Sequence, residues 1–453
     1  MIVMKFGGTS VGTAQRIQEL TRIIGSYQNS NPIVVVSAMS GVTNLLVDAS
    51  EKAKSGDYNA FYRCVDEITQ KHLQCIENIF DSHPELLKPL YEYTLAHVKE
   101  IRNLLEGVAI LKELTPRTSD LINSYGERIS SMIVTYALNA SGIPSQHVDA
   151  RDVVITDSEF GAAKPLIPKI RSRAEEVVVP VVKSGKIPVM GGYIGRTVDG
   201  ITSTLGRGGS DYTAAVIGLA VDASEIQIWT DVDGIMTCDP RMIPNAKVLT
   251  KVSFNEASEM AFFGAKVLHP STIKPAVENN IPVKILNSFN PSFPGTLITN
   301  ETDAGFPIKA IAFKKKVTVI SISSPKLLYG FGYMARLFSV FEKYKTSIDI
   351  VATSEVSVSM SLDNTDQIGS IVADLSEIAD VKVENELAII SIVGMNFSQK
   401  SGIAAKIFTA LQSINIKMIS FGASDINFTL VVDMKSLEPA VKNLHRVLFD
   451  DVN

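Results

Sequence analysis

The front of the chain repeatedly runs from a short apolar stretch into a turn of glycines and small polar residues, and then into a helix-like pattern. Residues 1–6 lead into the turn at 7–10, and the β-branched run at 33–36 leads into 37–44. Such runs are typical of strands covered on both faces, and this order of elements predicts a parallel α/β sheet. Ligands of such sheets bind beyond the carboxyl ends of the strands, where these turns lie.

One turn, residues 206–211 with the sequence GRGGSD, is richest in glycine and opens an apolar helix-like run. Three glycines in four residues permit positive φ and let backbone N–H groups approach a ligand closely. We expect Ser210 or Asp211 to cap the helix, whose N-terminus attracts anions. Arg207 adds a cation suited to carboxylate or phosphate. A mobile linker before a well-capped helix is the alternative that these six residues leave open.

The bulk composition predicts an ordinary folded protein of two or three domains, with 453 residues and 45% hydrophobic content. A net charge of −5 without a basic block gives no reason to expect nucleic acid. No apolar run reaches the ~18 residues that a membrane span needs, and no signal peptide is seen, so we expect a cytoplasmic protein. Three widely spaced cysteines indicate neither a disulfide framework nor a zinc site.

A gapless internal repeat follows a turn-rich boundary near residue 300. Residues 317–363 overlay 387–433 at a constant offset of 70, and each copy predicts a strand, a helix and two strands of the split βαβ type. The first copy also fits the dinucleotide fingerprint at Gly330, Gly332 and Ala335. Lys400 holds the place of the first glycine in the second copy, so we interpret the remaining small residues as packing positions and expect no NAD.

The front half carries the groups that phosphoryl transfer requires, which are amide donors, cations and little covalent machinery. It has neither a P-loop nor the protein-kinase motifs. Lys5 precedes two glycines, and Lys266 follows another; taken alone, either is a surface lysine. Glu127 is either a solvated surface acid or a buried binding group.

Five motifs, at residues 5–11, 205–211, 230–234, 239–241 and 264–270, resemble the aspartate kinase signatures in family order, and the repeat resembles the tandem ACT domains of that family. The resemblance covers nearly the whole chain. It implies the amino-acid-kinase fold over 1–300, a three-layer αβα sandwich with a mostly parallel sheet. It also implies two ferredoxin-like ACT α+β domains, one at 301–384 completed by 435–453 and one at 385–434.

The resemblance also assigns roles to individual residues. It implies that Lys5 stabilises the transferred phosphoryl group and that Asp211 organises the lysine and the reacting groups. The substrate-binding positions are Thr43, Glu127, Arg207 and Ser210. The nucleotide positions are Lys5, Gly7, Gly8, Thr9, Thr230, Asp231, Met236, Arg241, Lys266 and Val267. The effector positions are Leu327, Gly330, Tyr333, Met334, Asp349, Ser354 and Glu355, and no residue of the chain is predicted to bind a metal directly.

The implied reaction transfers the γ-phosphoryl group of ATP, with Mg²⁺, to the β-carboxylate of L-aspartate, giving 4-phospho-L-aspartate. This is the first step of lysine, threonine and methionine biosynthesis through the diaminopimelate pathway. The resemblance is to monofunctional, lysine-sensitive members, so we expect inhibition by lysine, with threonine as the alternative, and a homodimer through the ACT domains, with a tetramer as the alternative. The open alternatives for the function are another amino-acid-kinase enzyme and a catalytically inactive ACT sensor.

Overall fold

The computed structural model describes residues 1–81, 83–264, 272–301, 308–325 and 331–450, and these form two compact units. The first unit comprises the described residues between Met1 and Ile235 and between Leu268 and Glu301. The second comprises those between Met236 and Val267 and between Thr302 and Asn453.

In chain order, the helices and strands before residue 231 are β1 (Ile2–Phe6), α1 (Ala14–Ser26), β2 (Pro32–Val36), α2 (Val42–Lys54), α3 (Tyr58–Phe80), α4 (Pro84–Leu111), α5 (Pro116–Ala140), β3 (Ser145–His147), β4 (Ile155–Thr156), α6 (Ile167–Lys183), β5 (Ile187–Gly191), β6 (Ile194–Thr197), β7 (Thr202–Thr204), α7 (Gly209–Ala220) and β8 (Glu225–Thr230). Those after it are β9 (Lys251–Ser253), α8 (Phe254–Phe262), α9 (Lys274–Glu278), β10 (Val283–Asn287), β11 (Thr296–Thr299), β12 (Ile308–Ser323), α10 (Tyr333–Lys343), β13 (Ile350–Thr353), β14 (Ser357–Leu362), α11 (Ile368–Ser376), β15 (Asp380–Gly394), α12 (Ile403–Ala410), β16 (Ile416–Ser420), β17 (Asn427–Asp433) and α13 (Leu437–His445).

The main sheet of the first unit has the strand order β3-β5-β2-β1-β8-β10-β11. Its neighbours pair in parallel from β3 to β10, and only the pairing of β10 with β11 is antiparallel. The carboxyl ends of β5, β2, β1, β8 and β10 therefore lie along one edge of the sheet. The turns that follow these strands are brought together at that edge, as the sequence predicts.

Strand β1 at the centre of this sheet separates two helical layers through its side-chain alternation. Met4 and Phe6 belong to the large core that contains α1 to α5, and the Phe6 ring stacks on Trp229 of β8 at 5.8 Å. Lys5 points to the opposite face, where α7 packs against β1. Alternation in a strand has a period of two, so one residue of β1 is delivered to the α7 side near the carboxyl edge.

The second unit contains an antiparallel sheet with the order β13-β14-β12-β15-β17-β16. Its two long central strands each bend at a non-glycine residue of positive φ, Lys316 in β12 and Glu386 in β15. The part of β12 after Lys316 pairs with β14, and the part of β15 after Glu386 pairs with β17. Each long strand thus serves both copies of the repeat.

The two copies have separate helical cores. Leu337 of α10, Met360 of β14 and Leu375 of α11 lie in the first core. The second core contains residues of α12, β17 and the C-terminal helix α13, which contributes Leu444. We expected residues 435–453 to complete the first copy, and α13 packs in the second instead. The reason is that the first copy already has its second helix, α11, at the repeat position of α13.

Residues 236–264, which we placed in the front domain, also pack within the second unit. Cys238 and Ile243 are buried in the core of the second copy, and the Ile311 amide donates to the Thr237 carbonyl at 2.8 Å. The domain bounds themselves stay a prediction. Among the described helices, none combines the length and the apolarity that crossing a membrane requires.

The position of α13 can be tested by truncating its buried side chain. We expect Leu444→Ala to cost about 2–5 kcal/mol in free energy of unfolding, because the residue is fully buried and leaves a cavity. Backbone amide exchange should accelerate in α12 and β17 and remain slow in α10 and β14.

The matched control is Leu375→Ala, which removes an equally buried leucine from α11. It should accelerate exchange in α10 and β14 instead. Faster exchange in the first copy caused by Leu444→Ala would contradict the placement of α13.

Candidate active site

A buried ion pair joins the central strand to the helix beside it. The Nζ atom of Lys5 lies 2.6 Å from Oδ1 of Asp211, and the two side chains are 11% and 16% exposed. Asp211 stands in the first turn of α7. The pairing fixes the lysine ammonium at the carboxyl edge of the sheet and next to the N-terminus of a helix. Both features attract an anionic ligand.

The glycine-rich turn before α7 has the backbone geometry that its sequence indicates. Gly206 and Gly208 have φ values of 74° and 71°, in the left-handed region that glycine tolerates. Gly208 is the N-cap, and no side chain caps the helix, so the expectation of a Ser210 or Asp211 cap is wrong. The left-handed Gly208 begins the helix two residues earlier than we expected. The first amides of α7 therefore have no capping side chain, and Arg207 is exposed just before them.

Glu127 is a buried acid in the middle of α5. Only 3% of the residue is exposed, and its Oε2 atom has no hydrogen-bond partner among the described residues. Burial raises the pKa of Glu127 to about 8, although a backbone hydrogen bond from Ala38 opposes the shift. A Cβ atom on Gly191 would lie 2.9 Å from the Glu127 Cβ, so only glycine lets β5 approach α5 this closely. The interpretation of Glu127 as a solvated surface acid is excluded.

The turns after β1 and β2 lie side by side near this acid. The Ser40 amide donates to the Gly8 carbonyl at 3.1 Å, and the Ser130 hydroxyl of α5 donates to the Ser37 carbonyl at 2.7 Å. Thr43 lies half-buried in the first turn of α2, directly after this second turn. Thr43 and Glu127 therefore flank the same segment of chain.

The carboxyl ends of β1, β8 and β10 are tied together by serine hydroxyls. The Ser10 and Ser288 hydroxyls are 2.7 Å apart, and the Ser288 amide and hydroxyl both donate to the Thr230 carbonyl. This arrangement places the turn of Gly7, Gly8 and Thr9 next to Thr230 and Asp231. Thr9 and Asp231 are exposed at this edge.

The four other predicted nucleotide positions belong to the second unit or lie outside the described residues. Met236 belongs to the second unit, where it pairs with Val248. Arg241, also in the second unit, is exposed and forms an ion pair with Asp239 at 2.6 Å. Lys266 and Val267 lie outside the described residues.

Sequence reasoning missed two polar residues of this region. Tyr193, at a φ of 68°, follows β5, and a Cβ atom on Gly209 would lie 2.6 Å from the tyrosine ring. Asp120 of α5 is 2% exposed and accepts hydrogen bonds from Gly161 and Thr204. One signal for Asp120 was available, which is its spacing of seven residues from Glu127 on one helix face. The signal for Tyr193 was its position between the glycine pair at 191–192 and Gly195.

The predicted effector residues lie in the first copy of the repeat. The buried Tyr333 belongs to its core, and the hydroxyl donates to the Ile378 carbonyl at 2.8 Å. Met334 packs half-buried against the same core, whereas Ser354 and Glu355 are exposed near β13. Leu327 and Gly330 lie outside the described residues.

Asp349 forms an ion pair with a lysine of the chain. Its side chain is 2% exposed, and its Oδ1 atom lies 2.9 Å from the Lys314 Nζ atom. That ammonium also contacts Asp363 at 3.0 Å and lies 4.2 Å from the centre of the Phe262 ring. Burial raises the pKa of Asp349, and its Oδ2 atom has no partner among the described residues. The cluster has two carboxylates for one ammonium and can accept one further cation.

The front site combines a lysine, uncapped helix amides and glycine turns with a buried acid that lacks a partner. The first three suit a phosphate-bearing ligand, and the acid suits an ammonium. In the described part of the chain, no three His, Cys, Asp or Glu side chains come together as a metal-binding group. The arrangement therefore defines the class of a phosphotransferase acting on an amino acid.

Comparisons with known proteins identify the family within this class. The model of the amino acid kinase family matches residues 1–287, and an ACT domain model matches residues 390–448. Aspartokinase 2 of Arabidopsis thaliana, a chloroplastic protein, is 37% identical over 99% of this chain and 84% of its own length. Lysine-sensitive aspartokinase 3 of Escherichia coli is 35% identical over 99% of both chains.

Solved structures agree with these matches. Escherichia coli aspartokinase III in complex with aspartate and ADP, in its R-state, is 35% identical and superposes with a TM-score of 0.86 over 99% of this chain and 100% of that chain. The complex of the same enzyme with lysine and aspartate, in its T-state, superposes with a TM-score of 0.83 over 99% of both chains. The chain therefore belongs to the aspartokinase family. The predicted resemblance, fold class and function as an aspartokinase are confirmed, and the individual site residues stay predictions.

The burial of Glu127 predicts how stability depends on pH. A carboxyl with a folded pKa near 8 and an unfolded pKa near 4.5 favours folding below pH 4.5, and this contribution is lost as the pH rises to 8. We therefore expect Glu127→Gln to match the wild-type stability at pH 5 and to exceed it at pH 8 without ligands, on the order of 2–4 kcal/mol. Chemical denaturation at both pH values measures this difference.

The control is Glu175→Gln, which changes an exposed acid of α6. Its stability difference from the wild type should be the same at pH 5 and pH 8. A Glu127→Gln difference that does not grow with pH would contradict the buried, partner-free carboxyl.

Proposed function

We propose that the chain transfers the γ-phosphoryl group of ATP to the β-carboxylate of L-aspartate. The observation that carries the proposal is the buried Glu127 carboxyl, whose free oxygen needs a cation, beside the edge that holds the Lys5–Asp211 pair. An amino-acid ammonium supplies that cation. The Escherichia coli relative was crystallised with aspartate and ADP, which supports the same pair of ligands for this chain.

In this proposal the ends of aspartate are held by opposite charges. Arg207 binds the α-carboxylate through its planar guanidinium, and Glu127 binds the α-ammonium. Thr43 and Ser210 assist through their hydroxyls. The β-carboxylate is already ionised at neutral pH and is itself the nucleophile, so no general base is required. The task of the protein is to bring two anions together and to hold them in line.

The nucleotide is held from the turn after β1 and from the strand ends beside it. The amides of Gly7, Gly8 and Thr9 cradle the phosphates, and Lys5 offsets the charge on the transferred group, with Asp211 fixing the lysine. Thr230 and Asp231 contribute further contacts from the carboxyl end of β8, and Met236, Arg241, Lys266 and Val267 stay predicted nucleotide positions. Mg²⁺ bound to the nucleotide would supply further compensation of phosphate charge. The uncapped first turn of α7 fits such a phosphate group.

Lys5 is the residue on which turnover should depend most. We expect Lys5→Ala to lower kcat by about 10²–10³, because a group that stabilises the transferred charge is lost. ADP release with Mg-ATP and L-aspartate measures this, and an unchanged melting temperature would show that the fold is intact.

Lys186→Ala serves as the control, since Lys186 is an exposed lysine in the turn before β5. It should turn over at the wild-type rate. Near-normal turnover of Lys5→Ala would remove Lys5 from the mechanism, and wild-type protein without aspartate-dependent turnover would overturn the proposed function.

We further propose that lysine inhibits the enzyme by binding the first repeat, with threonine as the alternative effector. The Escherichia coli relative was crystallised with lysine and aspartate in a T-state. The cluster around Asp349 can accept one more cation, and Glu355 is an exposed acid just after β13. The second copy has Ile419 at the position of Asp349, so only the first copy offers both acids. Coupling of this kind is typically worth ~1–3 kcal/mol.

We also propose that two chains form a homodimer through their ACT sheets, with a tetramer as the alternative. The edge strands β13 and β16 leave apolar side chains exposed at or next to the sheet edges, namely Val351, Val356, Ile419 and Phe421. Exposed apolar edges favour pairing with another chain. The pathway assignment to lysine, threonine and methionine synthesis belongs to the same proposal. The cytoplasmic location stays a prediction.

The effector assignment is tested by removing its acids. We expect Asp349→Ala and Glu355→Ala to relieve inhibition by lysine by at least about tenfold, while uninhibited turnover remains, because each removes an anion that faces the effector. Inhibition curves of ADP release against lysine measure this.

The second copy provides a matched control. Asp425 occupies the repeat position of Glu355, and Asp425→Ala should leave the inhibition curve unchanged. Unchanged inhibition of Asp349→Ala would overturn the assignment of the first copy as the effector site.

A further inference from the structure

A buried carboxylate outside the proposed contacts holds two separate segments to α5. Asp120 accepts the Gly161 amide at 2.9 Å and the Thr204 amide at 2.9 Å. The Thr204 hydroxyl adds a third donor at 2.7 Å. The residue is only 2% exposed, so these donors take the place of water. Burying a carboxylate is costly unless hydrogen bonds such as these satisfy its oxygens.

Both segments lead to the turn that carries Arg207. Thr204 ends β7 and lies three residues before Arg207. Gly161 contacts the same turn from the other side, since a Cβ atom on Gly206 would lie 3.1 Å from the Gly161 carbonyl oxygen. The Ala163 amide donates to the Thr204 carbonyl at 2.9 Å, which joins the two segments to each other.

The same helix carries the opposite end of the proposed substrate site. Asp120 and Glu127 are seven residues apart on α5, which is close to two turns, so both side chains lie on one face. Asp120 therefore links the helix that carries Glu127 to the turn that carries Arg207. Among the described residues, the Thr204 hydroxyl is the only side-chain group that hydrogen-bonds to Asp120.

We propose that Asp120 is a positioning residue for aspartate, which holds the Arg207 turn at the distance from Glu127 that the two ends of the amino acid require. The inference rests on the proposed function, because it takes Arg207 and Glu127 as the groups that bind the α-carboxylate and the α-ammonium. Asp120 itself does not touch the substrate. Its loss should weaken aspartate binding and leave nucleotide binding unaffected, since the turn after β1 does not depend on it.

The decisive measurement is the KM for aspartate and for ATP in a set of variants. In Asp120→Asn one oxygen becomes an NH₂ group facing an N–H donor, and we expect the aspartate KM to rise about tenfold or more. The ATP KM should stay within about twofold. Thr204→Val removes only the hydroxyl donor and should raise the aspartate KM about threefold, whereas Thr204→Ser keeps the hydroxyl and should resemble the wild type.

Ser203→Ala controls for general damage to β7. Ser203 is fully buried next to Thr204, but its hydroxyl pairs with Thr156 at 2.7 Å and not with α5. This variant should keep the wild-type aspartate KM even if its melting temperature falls. If Asp120→Asn fails to fold, the comparison of Thr204→Val with Thr204→Ser is sufficient to test the proposed role of Asp120.

Two results would overturn the inference in an enzyme whose wild type phosphorylates aspartate. The first is an unchanged aspartate KM in Thr204→Val and in folded Asp120→Asn. The second is a Ser203→Ala rise as large as that of Thr204→Val. A wild type that shows no aspartate-dependent turnover would instead overturn the proposed function, which separates the two failures.

Discussion

The structure depends on the cost of a buried acid that has no internal cation. Glu127 lies in the core layer beside the sheet, and one of its oxygens has no partner among the described residues. Burying such a group is unfavourable unless it stays neutral or a cation arrives. Burial raises the pKa of Glu127 to about 8, which corresponds to the first of these outcomes at neutral pH. In the proposed function the substrate ammonium supplies that cation, so the buried carboxyl ionises when the amino acid binds.

The first copy of the repeat also buries an acid, but the charge of this acid is partly compensated. The side chain of Asp349 is buried, and Lys314 partly compensates its charge. One carboxylate oxygen is left for a further cation. The site in the first unit thus contains an acid, Glu127, that no cation among the described residues compensates. In the cluster around Asp349, the single ammonium of Lys314 is shared between Asp349 and Asp363. In both places the binding group is fixed by packing before a ligand arrives, which lowers the ordering cost of binding.

Much of the fold could be predicted from the sequence, because strand and turn periodicity are local. The parallel sheet, the glycine turn with φ values of 74° and 71° and the repeat of 70 residues all follow from local patterns. The helix cap at Gly208 was mispredicted because a left-handed glycine competes with side-chain caps. The packing of α13 and the hydrogen bonds of Asp120 depend on residues far apart in sequence, 41 and 84 residues apart in the case of Asp120, which no local pattern encodes. Burial of Glu127 was one of two open interpretations, and only packing against Gly191 decides it.

The central claim is tested most directly by counting the protons that aspartate binding releases. Calorimetric titrations at pH 7, in buffers with different ionisation enthalpies, give this number. If Glu127 is neutral in the free chain and ionised against the ammonium, close to one proton should leave per aspartate bound, and the number should fall towards zero at pH 9. Binding heats that do not depend on the buffer at pH 7 would contradict the account.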